Sequence, residues 1–279
     1  MSVAARYRSL FARLASRHEG AFVPFLVLGD PDPPTSLELV RTIARAGADA
    51  LELGLPFSDP IADGSVIQAA ASRALAAGTG AEEAFGIVKA VRQEFPDLPI
   101  GLLVYANLVM HQGADRFYRL AAEAGADSVL IADAPFQESE GLSRAARRQG
   151  VATVLMAPPN TGDQLLTAIA ARSEGYLYVT SRPGVTGADD RLQDDAARLL
   201  GRLKQLRSAP PLLGFGIATP AHVRQALAMG AAGAICGSAM VRHIPSLAGR
   251  PAELLETLSA LTVAMKEATR DQDCLVRNP

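Results

Sequence analysis

ARAGADALEL, residues 44–53, reads as the end of a helix, a tight turn and the start of a strand within ten residues. Gly47 stands where the helix must stop, because glycine takes the left-handed conformation of a helix terminus without a Cβ clash. Beyond it, 50–53 is a short apolar run of strand length. The pattern returns as AEAGADSVLI (122–131) and LAMGAAGAIC (227–236), with Gly125 and Gly230 in the place of Gly47. Working outward from these three, β-rich apolar runs fall at 22–28, 50–53, 100–105, 128–132, 152–156, 176–180, 212–216 and 233–236. Each is followed by a loop and a segment of helical period, as at 36–46, 116–124 and 221–229. The runs are mostly continuous rather than alternating, as in strands covered on both faces.

Eight such units in about 250 residues predict an α/β fold: a single (β/α)8 TIM barrel with an extra N-terminal helix. The barrel is expected over residues 1–270, with 271–279 as a C-terminal tail. A doubly wound open sheet is the competing arrangement, but it has fewer strands and a phosphate fingerprint near its first strand, which is absent here.

The 279 residues, 49% of them hydrophobic, suffice for a full core. A net charge of -2 leaves no basic footprint for nucleic acid or anionic lipid. No apolar run has the length of a membrane span. The opening MSVAARYRSLFARL is Arg-rich and free of acids, as a transit peptide would be, but Leu10, Phe11 and Leu14 fit a helix packed on a domain better. Cys236 and Cys274 lack metal or redox spacing, which suits a reduced, cytoplasmic protein.

Three glycine-rich segments follow the last three strands: SRPGVTG (181–187), GFGIATP (214–220) and CGSAM (236–240). Glycine lets backbone N–H groups approach an anion, and a helix start adds unpaired donors and a positive dipole end. Loops after strands seven and eight of such barrels commonly bind phosphate, so a phosphorylated substrate is expected. Tight turns alone would explain any one of the three. Ser238 could add a hydroxyl, and Arg182 either helps with the charge or lies on the surface.

LELGLPFSDPIADG (51–64) puts Glu52 between two leucines in the second strand, near the end where catalytic residues of barrels gather. If the leucines pack outward, Glu52 points into the barrel mouth. A buried carboxylate must pair, shift its pKa or do chemistry. An Arg partner is the plain alternative, but none falls on a neighbouring predicted strand. Asp63, in the loop above, could simply cap its own Asp-Gly turn. Two carboxylates rising from one unit above a phosphate site can also divide acid and base roles. The three lysines, Lys89, Lys204 and Lys266, fall on predicted helices, which leaves a Schiff base without a nucleophile at a strand end. The four histidines are scattered without metal spacing. Phe25, Leu103, Tyr105, Leu130, Met156 and Tyr178, at or near strand ends, would wall a pocket for a flat aromatic group.

VPFLVLGDPDP, LELGLPFSDPIADG, LVYANLV, DSVLIADAP, SRPGVTG, GFGI and GAICGSA, taken in order from about residue 4 to 268, resemble the tryptophan synthase alpha chain family. The resemblance implies a lyase of tryptophan biosynthesis that cleaves indole-3-glycerol phosphate to indole and glyceraldehyde 3-phosphate. It places the catalytic carboxylates at Glu52 and Asp63, the first shuttling protons to the ring and from the glycerol hydroxyl, the second taking the indole N–H proton. It assigns phosphate to Gly187, Gly216, Gly237 and Ser238, and indole contacts to Phe25, Leu103, Leu130 and Tyr178, with Thr186 positioning Asp63. It sets Pro56, Asp59, Asn107 and Pro135 against a beta chain in an αββα heterotetramer. No cofactor or metal is implied for this chain; pyridoxal phosphate belongs to the beta chain.

Leu26-Val27, Ser65-Val66 and Met110-His111 depart from the family's usual residues, none at the two carboxylates. A stand-alone indole-releasing lyase and a non-catalytic phosphate-binding barrel remain as alternatives, and intact Glu52 and Asp63 speak against the second.

Overall fold

The computed structural model describes residues 3–180, 191–247 and 249–270, with only the backbone of 191–194. Arg182, Thr186, Gly187, Cys274 and the predicted tail lie outside the described residues. Parallel strands β1 (Ala21–Val27), β2 (Leu51–Gly54), β3 (Ile100–Val104), β4 (Ser128–Ile131), β5 (Ala152–Val154), β6 (Met156–Ala157), β7 (Leu177–Thr180), β8 (Pro211–Gly214) and β9 (Gly233–Cys236) form one sheet. Its order is β5-β4-β3-β2-β1-β9-β8-β7-β6. β5 and β6 stand at its two ends yet are separated in the chain only by Leu155, so the sheet curls into a barrel closed through that residue. An open doubly wound sheet is thereby ruled out.

Around the strands run α2 (Pro33–Arg45), α3 (Ser65–Ala76), α4 (Ala81–Glu94), α5 (Ala106–Gln112), α6 (Ala114–Ala124), α7 (Ser139–Arg148), α8 (Asp163–Arg172), α9 (Arg191–Gln205), α10 (Pro220–Ala228), α11 (Ser238–Val241), α12 (His243–Ser246) and α13 (Pro251–Glu267). Asp32 and Thr219 cap α2 and α10 through their side chains, each ahead of a helix-opening Pro. Gly47, Gly125 and Gly230 have φ of +103°, +94° and +98°, the left-handed stops read from the repeat.

The predicted fifth strand, 152–156, is in fact two. Leu155 N–H donates to Ser173 Oγ (3.1 Å) instead of to a strand, while its carbonyl accepts from Tyr178 N (3.0 Å). The predicted strand 212–216 also stops early, at Gly214, because Phe215 and Gly216 turn to φ of +61° and +83° and leave the ladder.

The acid in the repeat has a role of its own. Asp49 donates its N–H to the Phe22 carbonyl and accepts the Phe22 N–H on its carboxylate (2.9 Å). Asp127 grips Ile100 in the same two-handed way, and Glu174 grips Thr153. Lys266 meets Asp49 (2.9 Å), and Arg6 and Arg92 meet Asp127 (2.8 and 2.6 Å). These clamps register the strand beginnings at the barrel's N-terminal end.

That end is plugged by the extra N-terminal helix, α1 (Ala5–Ser16), which buries Tyr7, Leu10 and Leu14. Phe11, the third member of the expected stripe, is only partly buried. The Tyr7 hydroxyl reaches Ser128 Oγ at 2.9 Å, and both oxygens occupy the space where a side chain at Gly101 would begin. With one end filled, the other is left for a site.

Candidate active site

The register explains how side chains gather at the open end. Phe25 pairs with Glu52, Glu52 with Gly101, and Gly101 with Ser128, so these share one inward tier. Two residues further along, Val27, Gly54, Leu103 and Leu130 make the tier above it. Glu52 therefore lies inside the barrel under a lip of apolar side chains, while Leu51 and Leu53 pack outward beneath helices. It is 1% exposed.

Among the described residues Glu52 has no cationic partner. Its Oε1 accepts from the Tyr176 hydroxyl at 2.7 Å. Burial pushes its pKa up to about 7; the Tyr176 bond opposes that shift, and the nearby Asp63 charge adds to it. Half neutral near physiological pH, such a carboxyl can give and take a proton. Tyr176 was legible only as the start of a strand, although its place two residues before Tyr178 gives both tyrosines the same inward parity.

Asp63 sits in the loop joining β2 to α3. Its Oδ2 accepts from the Tyr105 hydroxyl (2.9 Å), which in turn accepts the Ala62 N–H (3.1 Å). Phe57 stacks on Tyr105 with ring centroids 5.2 Å apart. The loop thus wraps a tyrosine anchored at the end of β3, and the carboxylate is aimed at a phenol of the site, not at its own turn. Burial raises the pKa of Asp63 above the ordinary value and the Tyr105 bond opposes the rise. Both carboxylate charges raise the pKa of Tyr178, after burial itself, so this phenol neighbours both.

Phe25, Leu130 and Tyr178 are buried and Leu103 is half-buried. A small cavity beside Asp63 is lined by Phe25, Leu103, Tyr105, Ile67 and Ala71. Glycines make room for the rings: a Cβ at Gly54 would lie 2.7 Å from Phe25 Cζ, and one at Gly214 only 2.1 Å from the Tyr178 hydroxyl. Phe215, held at positive φ, meets Tyr178 edge-on at 6.0 Å. Backbone strain of that kind concentrates at functional sites.

Gly216 and Ser238 are exposed and Gly237 half-buried, at the ends of the adjoining strands β8 and β9. Ser238 opens α11, whose first N–H groups have no intrahelical acceptor. Gly187 and Thr186, the remaining members of the predicted set, are outside the described residues. Of the residues expected at a partner surface, Asp59, Asn107 and Pro135 are exposed on this rim, beside exposed Ile61 and Met110, whereas Pro56 is buried. Cys236 is wholly buried, its thiol near the Ile217 carbonyl (3.3 Å) and its pKa pushed up by burial to about 12. Among the described residues no group of three His, Cys, Asp or Glu is placed to hold a metal ion, and no helix is long and apolar enough to cross a membrane.

A barrel with an acid held near neutrality and a second carboxylate in its mouth defines the class: a (β/α)8-barrel enzyme of the acid–base kind. The sequence pattern of the tryptophan synthase alpha chain matches residues 11–270. The alpha chain of Serratia proteamaculans is 53% identical over 265 residues, covering 95% of this chain and 99% of that one. That of Pectobacterium atrosepticum is 52% identical over the same shares. Among solved structures, tryptophan synthase subunit alpha from Legionella pneumophila superposes with a TM-score of 0.86 at 31% identity, covering 95% of this chain and 98% of that one. A chain of the tryptophan synthase complex from Pyrococcus furiosus gives 0.79 at 33% identity over 88% and 98%. The chain belongs to the tryptophan synthase alpha chain family, and its reaction is that family's lyase step of tryptophan biosynthesis, cleavage of indole-3-glycerol phosphate.

Proposed function

We propose that Glu52 and Asp63 divide the cleavage of indole-3-glycerol phosphate between them as acid and base. The observation that carries the assignment is the buried Glu52 carboxyl in the barrel mouth, its pKa raised to about 7 by burial, with the Asp63 carboxyl nearby. Asp63 takes the indole N–H proton as neutral Glu52 delivers one to ring carbon C3, giving the indolenine tautomer. Glu52, now a carboxylate, takes the proton of the glycerol hydroxyl; the C–C bond to the ring breaks, its electron pair restores the ring double bond, and Asp63 returns the proton to nitrogen. Indole and glyceraldehyde 3-phosphate leave with both carboxyls restored. The indolenine is the electron sink, which explains why the site needs no lysine. Phe25, Leu103, Leu130 and Tyr178 hold the indole, while Gly187, Gly216, Gly237 and Ser238 hold the phosphate, with Thr186 steadying Asp63.

In the same reading residues 1–270 are one barrel domain, and the chain works in the cytoplasm as the alpha subunit of an αββα assembly. Asp59, Asn107 and Pro135 face the beta chain, Pro56 supports them from beneath, and pyridoxal phosphate resides in the beta chain alone. The Pyrococcus furiosus complex among the structural relatives supports the partner.

Indole release by the purified chain, with and without a beta chain, tests the reading alongside Glu52→Gln. Weak release that rises many-fold with the beta chain and vanishes in the variant is expected. Fast release without it would favour a stand-alone lyase, and undiminished release by Glu52→Gln would overturn the assignment.

A further inference from the structure

The pocket wall nearest Asp63 is α3, the helix that begins two residues after it. Ile67 and Ala71 face the cavity that Asp63 also lines. In the first turn of α3, Gln68 Nε2 donates to the Asp63 carbonyl at 2.8 Å. The inner face continues through Ala70 and Ala74, both wholly buried, and packs on β1 and on α11, the helix that Ser238 opens. One element thus touches Asp63, the pocket wall and the helix proposed for the phosphate.

A helix resting on alanines has little to interlock with, so its seat must be fixed in another way. The fixing lies at its far end. Arg73 Nε and Nη2 donate to Asp30 Oδ1 and Oδ2 at 2.7 and 2.8 Å, a two-pronged bond to a carboxylate with no exposed surface. Just beyond α3, the Thr79 side chain fills the space that a Cβ at Gly29 would take, its Oγ1 2.1 Å from that point. Ser36 Oγ accepts the Gly29 N–H at 2.9 Å. The corner Gly29–Asp30, between β1 and α2, is therefore a socket for the end of α3, and neither residue lines the cavity beside Asp63.

We infer that Arg73 and Asp30 are positioning residues for the cleavage: their buried fork sets the seat of α3, and through it the placement of Asp63 and of the pocket wall. A planar guanidinium bonded at two points fixes rotation as well as distance, which neither a lysine nor an apolar pair does. Loss of Arg73 leaves the buried Asp30 carboxylate uncompensated, so it must move toward water or take up a proton, and either way the two-point hold on α3 is gone. Sliding α3 by one residue is about 1.5 Å, and a displacement near 1 Å can cost about a hundredfold in rate.

The inference rests on the proposed role of Asp63, and the experiment separates the two. Indole release by the complex with a beta chain is measured for Arg73→Met, Arg73→Lys, Asp30→Asn and the control Asp63→Asn, each with its thermal unfolding curve. Expected are a fall in kcat of about ten- to a hundredfold for Arg73→Met, well below the unfolding midpoint and with KM changed less, and partial recovery in Arg73→Lys. A merely structural fork would lower the midpoint and leave kcat unchanged. An inactive Asp63→Asn beside folded Arg73→Met with wild-type kcat would overturn the inference. Should Arg73→Met not fold, wild-type kcat in both folded Arg73→Lys and Asp30→Asn would do the same. An active Asp63→Asn would instead overturn the site assignment beneath it.

Discussion

Glu52→Gln should stabilise the protein while it abolishes cleavage, and the gain should grow with pH. The folded chain holds the Glu52 pKa at about 7, against an ordinary 4.5. A pKa raised on folding means that the folded state binds the proton more tightly, so stability is greatest below about 4.5 and is lost as pH rises through 7. At about 1.4 kcal/mol per pH unit, that interval amounts to about 3 kcal/mol at alkaline pH. Glutamine has the same shape, accepts the Tyr176 hydroxyl bond and carries no charge, so it escapes the loss. The advantage of the variant should open from under about 1 kcal/mol at pH 5 to about 3 kcal/mol at pH 8.5. On a chain of this size that is on the order of 6 °C in unfolding midpoint. Circular-dichroism melts of both proteins at the two pH values would measure it, with indole release run in parallel. A variant no more stable than wild type at pH 8.5, or an advantage that does not change with pH, would refute the claim that burial keeps this carboxyl neutral.

Tyr176→Phe removes a hydrogen bond that favours ionised Glu52, so the alkaline limb of the kcat/KM profile should move upward by about one to two pH units, the worth of a bond to a charged group; a limb that stays or falls would contradict the neutral-acid role. Gly54→Ala places a methyl 2.7 Å from Phe25 Cζ and should displace the ring, raising KM for indole-3-glycerol phosphate about tenfold or more in steady-state assays. Arg92→Met takes the 2.6 Å partner from Asp127, leaving it Arg6. It also removes the Arg92 donor from the carbonyls of Gly125, Phe95, Pro96 and Leu98, of which Pro96 keeps Arg6 and Phe95 keeps the Leu98 N–H. Urea unfolding should show a loss of about 1–3 kcal/mol with the pH profile of the surviving activity unchanged.

The barrel was legible because its signals are local. The glycine stop and apolar run of ARAGADALEL lie within ten residues, and every copy of that pattern leads into a strand. What escaped the reading depends on residues far off in the chain. The break at Leu155 is made by the Ser173 hydroxyl, and the partner of Glu52 comes from 124 positions away, across the barrel. Strand eight was drawn two residues too long because GFG looks like its continuation, whereas Phe215 at positive φ turns its ring toward Tyr178. Asp63 carried two meanings in the sequence, turn residue and base. In the fold its carboxylate accepts from the Tyr105 hydroxyl and lines the pocket.

The partners of the acids divide the barrel more sharply than their positions do. At the N-terminal end Asp49 and Asp127 also lie buried, yet each meets a cation and grips a strand's backbone N–H. Asp30, the acid of the α3 socket, likewise has Arg73. A guanidinium or ammonium opposes the rise that burial imposes on Asp30 and Asp49, whose pKa values still lie above the ordinary value. It also ties each carboxylate to one position, which suits a clamp. Glu52 and Asp63 instead receive phenol hydroxyls, from Tyr176 and Tyr105. A phenol orients a carboxyl without supplying a full positive charge, and burial carries the Glu52 pKa up to about 7 and that of Asp63 above its ordinary value. Choice of partner thus separates the acids tied to cations and backbone from the two in the barrel mouth that are proposed to exchange protons with the substrate.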